Sequence, residues 1–150
     1  MGCDPTHILI VEDEEAHAEL TKRAIRKAGH ANRIDILNDG EQALDYLFNR
    51  GIYSDREKYP CPALILLDIN LPGIDGIEVL KRIKEDPRLK PIPVIMLTTS
   101  KREEDIAASY GHYANSYLTK PVGFKEFEEK VMQIDFYWMN LNEPPTTSED

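Results

Sequence analysis

The chain has 150 residues, 41% of them hydrophobic, which suits one domain with a real core. Acidic residues outnumber basic ones 27 to 18, and the net charge of −9 argues against a duplex nucleic-acid partner and against a polybasic membrane contact. No apolar run approaches the roughly 20 residues of a membrane span, and the N-terminus lacks signal-peptide order, so the expected location is the cytoplasm.

In chain order, residues 1–6 read as a short disordered start. Met1-Gly2-Cys3-Asp4-Pro5-Thr6 also fits the loose N-myristoylation pattern, but that motif constrains few positions and carries little weight. The apolar run over 7–11 predicts a first strand, and the pattern over 14–28, stopping at Gly29, predicts a helix. Residues 33–37 read as a second strand. Asp39 is an expected N-cap for a helix reaching about residue 50. The polar segment 51–62 has no periodicity and is long enough to suggest a specialised loop. Cys3 and Cys61 show no ligand or redox spacing and are expected as free thiols in a reducing compartment.

Residues 63–67 form a continuous apolar run, as in a central parallel strand buried on both faces, with Asp68 at its end. A turn over 71–76 leads into a helix ending near residue 85. Pro91 and Pro93 frame a strand over 94–97, and a helix is expected over about 102–110. Residues 116–118 predict a short fifth strand, and a last helix runs from about 125 into the 130s. The predicted domain spans 7–140 with an extended C-terminal helix, and 141–150 form a flexible acidic tail. Five βα units with right-handed crossovers predict a flavodoxin-like (βα)5 doubly wound parallel sheet of order 2-1-3-4-5, with its site at the strand C-termini.

That topology gathers the residues that follow each strand. Glu12 and Asp13 follow the first, Asp68 the third, Thr98 the fourth and Lys120 the fifth. Three clustered carboxylates need a compensating cation, and an oxygen-only set suits Mg²⁺. A carboxylate beside such a cation can attack a phosphoryl group and form an aspartyl phosphate. Lys120 and the metal would spread the charge of the transferring oxygens, and Thr98 would donate to one of them. Taken singly, each residue has an ordinary explanation. Asp68 is then a turn acid, Glu12 and Asp13 are helix N-terminal charges, and Lys120 is a surface lysine. The combination favours the functional reading. His7, His17, His30 and His112 show no ligand spacing and are expected at the surface or partly buried.

The set Val-Glu-Asp-Glu, Ile-Leu-Leu-Asp-Ile-Asn-Leu-Pro-Gly-Ile-Asp-Gly, Pro-Val-Ile-Met-Leu-Thr-Thr and Leu-Thr-Lys-Pro, in that order, resembles response-regulator receiver domains over about residues 7–135. The resemblance implies that Asp68 is the phosphoacceptor. It implies that Glu12, Asp13 and Asp68, with the backbone carbonyl of Asn70, hold Mg²⁺. Thr98 and Tyr117 would be the switch pair, Lys120 the phosphoryl contact, and Lys120-Pro121 the lysine-proline step, often cis. The 51–62 loop, Leu-Thr-Thr-Ser and the Phe-Tyr-Trp extension further resemble small regulators paired with phytochrome-type histidine kinases. The implied function is a phosphorylation switch, without turnover as an enzyme, that takes its group from a histidine kinase and passes a signal to a downstream protein.

The alternative is a Mg²⁺-dependent aspartate-nucleophile phosphohydrolase. It needs a second acid two residues after the nucleophile, where Asn70 stands. A flavin-binding module would need a phosphate-cradling loop where Val11-Glu12-Asp13-Glu14 is acidic. In the last helix, Phe127, Val131, Ile134 and Trp138 form one apolar stripe. Met132, Phe136 and Met139 form a second, about 100 to 180° away. The second stripe predicts a homodimer through this helix.

Overall fold

A computed structural model of the chain describes residues 6–29, 33–98 and 116–119, and positions 102, 125, 126, 128–130 and 133. Five strands, β1 (His7–Val11), β2 (Arg33–Leu37), β3 (Leu64–Asp68), β4 (Val94–Thr98) and β5 (Ser116–Thr119), form one sheet in the order β2-β1-β3-β4-β5. Every pairing is parallel, which bears out the flavodoxin-like expectation. The helices are α1 (Glu15–Ala28), α2 (Gly40–Leu47) and α3 (Gly76–Glu85), with a 3-10 turn over Gly51–Tyr53. Arg102 and the described positions from 125 to 133 are helical. The rest of the helix expected over 102–110, and the predicted disordered start and acidic tail, lie outside the described residues apart from Thr6.

The strand sequences explain the layering. Successive side chains of a strand point to opposite faces. Leu9 and Val11 of β1 and Ile65 and Leu67 of β3 pack with Leu44, Leu47, Val79 and Ile83 of α2 and α3. Ile8 and Ile10, with Leu64 and Leu66, pack on the other face against Ala24 and Ile25 of α1. All five residues of β1 and of β3 are buried, as a strand covered on both faces requires.

The caps follow from side-chain chemistry. Asp39 accepts a hydrogen bond from the Gln42 N–H at 2.7 Å, and Asp75 accepts one from Glu78 N–H at 2.9 Å. Gly29 closes α1. The second helix ends at Leu47, short of the expected residue 50, because Asn49 takes a left-handed φ of 54°. The Asn49 amide then donates to the carbonyls of Tyr53 and Tyr59, both at 3.0 Å, and so folds the 51–62 loop onto the domain. Tyr53 and Tyr59 pack on buried Tyr46 with ring centroids 5.4 and 5.6 Å away.

Two expectations are corrected. His7 is fully buried. Its Nε2 lies 2.9 Å from Asp35 Oδ2, and the Tyr46 hydroxyl donates to the same oxygen at 2.7 Å. A strand buried on both faces can hold an imidazole only with such partners. Cys61 is disulfide-bonded, so the reading of free thiols, and with it the inference of a reducing compartment, loses its basis. Sequence spacing reports only local cysteine pairs. Here the Ala63 N–H bonds the His7 carbonyl at 2.8 Å, which brings the segment after Cys61 beside the start of β1. No helix among the described residues is long and apolar enough to cross a membrane.

Candidate phosphoryl and metal site

The parallel sheet delivers its strand ends to one edge. Glu12 directly follows β1, and its N–H continues the ladder by bonding the Leu37 carbonyl at 2.9 Å. Its side chain is 1% exposed, and one of its carboxylate oxygens accepts from the Glu14 N–H at 3.3 Å. Asp13 is exposed. Asp68 is the last residue of β3, one position later than the strand end expected from sequence, and is 3% exposed. Its Oδ1 accepts from the Asn70 N–H at 2.9 Å. One carboxylate oxygen from each of Glu12, Asp13 and Asp68 lies within 4.8 Å of the others.

The turn that presents Asp68 is tightly built. The Ile69 N–H bonds the Leu97 carbonyl at 2.9 Å, and the Gly76 N–H bonds the Ile69 carbonyl at 3.1 Å. A Cβ on Gly76 would stand 2.2 Å from the Asp68 carbonyl oxygen, so only glycine lets α3 start directly against this strand end. Gly73, at φ 73°, turns the chain between them. Neither glycine was singled out from the sequence, although both fall in the Pro-Gly-Ile-Asp-Gly turn that was.

Two of the three carboxylates are almost fully buried and stand close together. Bringing two anions into such a site is costly unless a cation compensates them. Three oxygen donors without nitrogen or sulfur fit a hard divalent ion such as Mg²⁺ or Mn²⁺. A second cluster, Glu12, Glu14 and His17, shares Glu12 at the same 4.8 Å limit, with His17 Nδ1 2.6 Å from Glu14 Oε1. His17 is therefore drawn into the acidic rim, which its spacing did not suggest.

Thr98 ends β4, next to Leu97, whose Cα partner across the ladder is Asp68. Thr98 is thus at the expected edge. Tyr117 lies in β5 opposite Met96, and Thr119 pairs with Thr98. Lys120 and Pro121 lie outside the described residues, directly after β5 in sequence. Asn70 is exposed, beside Asp68.

Residues 8–132 match the response regulator receiver domain family. The chain belongs to that family. This receiver is 43% identical over 142 residues to the probable methanogenesis regulatory protein FilR2 of Methanothrix harundinacea, a match spanning 95% of this chain and 89% of that protein. It is 43% identical over 135 residues to response regulator Rcp1 of Synechocystis, spanning 90% of each. The solved Mn²⁺-bound form of Rcp1 superposes with a TM-score of 0.83 at 42% identity, covering 95% of this chain and 100% of that one. The phosphorylated cyanobacterial phytochrome response regulator RcpA superposes with a TM-score of 0.84 at 38% identity, covering 94% and 99%. The receiver is thus a response regulator closely related to the phytochrome response regulators Rcp1 and RcpA, with phosphorylation-based switching.

Proposed function

We propose that Asp68 is the residue phosphorylated and that this receiver works as a stand-alone switch. The juxtaposition of Glu12, Asp13 and Asp68 at one sheet edge carries the reading. An Asp68 carboxylate oxygen forms the new O–P bond as the N–P bond of a phosphohistidine donor breaks, and the donor, protonated beforehand on its other ring nitrogen, leaves as neutral imidazole. Glu12, Asp13, Asp68 and the Asn70 carbonyl would hold Mg²⁺, which when bound offsets phosphoryl charge. The Asn70 N–H already fixes one Asp68 oxygen, which orients the other for attack. Lys120 contacts the phosphoryl oxygens, and Thr98 and Tyr117, with the turn at Pro121, pass the change to the surface.

The donor is a histidine kinase, of the phytochrome type to judge from RcpA. Phosphorylation exposes a surface for a downstream protein, and the second apolar stripe of the C-terminal helix joins two copies into a homodimer. Turnover is confined to the protein's own phosphoryl group, because the Asn70 amide cannot act as a general acid or base toward a leaving group. The chain acts in the cytoplasm, within reach of an ATP-fuelled kinase. Mass spectrometry after incubation with acetyl phosphate and Mg²⁺ tests the core of this reading. The wild type gains one phosphoryl group and Asp68→Asn gains none. A mass increment retained in Asp68→Asn moves the nucleophile elsewhere.

A further inference from the structure

The opposite edge of the sheet holds a feature that phosphoryl chemistry does not use. A cavity of about 730 Å³ opens where β3 and β4 begin, between the end of the 51–62 loop and the turn that follows α3. That volume falls in the range of small-molecule sites, about 300–1,000 Å³. Strand length separates it from Asp68 by roughly 15 Å, at about 3.3 Å per residue.

The walls are apolar and poor in donors. Pro60, Pro62, Pro91 and Pro93 line them and carry no N–H, and Ile92 adds an aliphatic surface. The Asn49 amide at the wall is spent on the Tyr53 and Tyr59 carbonyls. The charged groups are Arg56, Arg88 and Glu57, two cations against one anion, on a chain whose net charge is −9. Arg88 is fixed by a 2.7 Å bond from Nη2 to the Leu47 carbonyl, which leaves other guanidinium N–H groups to donate. Among the described residues, Arg56 makes no ion pair. A local positive excess on an acidic protein selects for anions, and a planar guanidinium matches a carboxylate or sulfonate in two-point fashion.

We propose that this cavity binds a small organic acid, with its apolar body against the proline walls and its anionic group on Arg56 and Arg88. The site is separate from the phosphorylation reading and stands or falls without it.

The probe is 1-anilinonaphthalene-8-sulfonate, an aromatic anion that fluoresces when it leaves water, titrated into the full chain. One saturable site is expected. Arg56→Glu, an exposed change with wild-type circular dichroism, should weaken it roughly tenfold or more, since a charge-assisted bond is lost and a repulsion added. The Arg56→Glu/Arg88→Gln pair should weaken it further. Neutral N-phenyl-1-naphthylamine should bind less tightly than the sulfonate. Uptake of phosphoryl from acetyl phosphate should be unchanged in Arg56→Glu. Three outcomes overturn the proposal. The probe fails to saturate, or Arg56→Glu binds it as the wild type does, or an equimolar synthetic peptide of residues 141–150 displaces it, which makes the chain's own acidic tail the occupant.

Discussion

At Asp35, burial and hydrogen bonding act in opposite directions on one carboxyl group. Burial raises its pKa, but hydrogen bonds from His7 and Tyr46 and the charge of Arg33, whose Nε donates at 2.9 Å, outweigh it and hold the group at about 2, below its ordinary 3.8. A carboxyl depressed on folding contributes stability above its unfolded value, and that contribution is lost as pH falls through the folded one. Asp35→Asn should therefore lose about 1–2 kcal/mol near pH 7, the figure being reduced for a side chain partly open to solvent. The gap between the variant and the wild type should shrink as pH drops from about 4 toward 2. Urea denaturation at pH 7, 4 and 2.5 measures it, and a gap constant across that range would remove the ionised carboxylate from the explanation. The same burial, reinforced by the Asp35 bond, pushes the Tyr46 hydroxyl up, so it remains a donor throughout. This network was not legible in the sequence. Its members are 11 and 28 residues apart, and no spacing rule links a strand histidine to an acid on the neighbouring strand. The carboxylate cluster was legible because its acids stand at or within two residues of a strand's C-terminal end, and a parallel sheet must bring such residues to one edge.

At the scale of elements, α3 and the end of β3 are locked by the absence of a side chain at Gly76. An added Cβ would meet backbone at 2.2 and 2.8 Å, and backbone cannot swing aside as a long side chain can. Gly76→Ala should cost about 2–3 kcal/mol and slow phosphoryl uptake, because relief requires Asp68 or α3 to move. Gly73→Ala offers the contrast. Its Cβ would meet nothing within 4 Å, so only its left-handed φ is penalised, by about 1 kcal/mol. Chemical denaturation together with acetyl phosphate kinetics separates the two, and equal uptake rates in Gly76→Ala and the wild type would show that the turn has slack. Strand positions came through from sequence almost to the residue, since runs such as 64–67 are apolar throughout and bounded by turn residues and Asp68. The early stop of α2 did not, because the left-handed turn at Asn49 is held by carbonyls of a loop that has no periodicity of its own.

At the scale of the whole molecule, one ion pair among the described residues links the C-terminal helix to α1. Lys27 Nζ lies 3.5 Å from Glu128 Oε1, while Glu126, Glu129 and Gln133 are exposed. The stripe of Met132, Phe136 and Met139, outside the described residues, is the basis of the proposed homodimer. Light scattering should give the mass of two chains for the wild type and of one for Phe136→Asp, with circular dichroism unchanged. A wild type that stays monomeric at high concentration, with and without acetyl phosphate, would end the dimer proposal. The strand order has a further consequence for the chain while it is being made. β1 lies between β2 and β3, yet β3 is encoded more than fifty positions after it. As the polypeptide leaves the ribosome, β1, α1, β2 and α2 all emerge before β3, and the edge of β1 that β3 will pair is then bare. Such an edge is a template for pairing with another nascent chain until residues 64–68 appear. A ribosome-stalled product with residues 1–60 outside the exit tunnel should therefore sediment or recruit a holdase, whereas one long enough to expose β3 and α3 as well should do so much less.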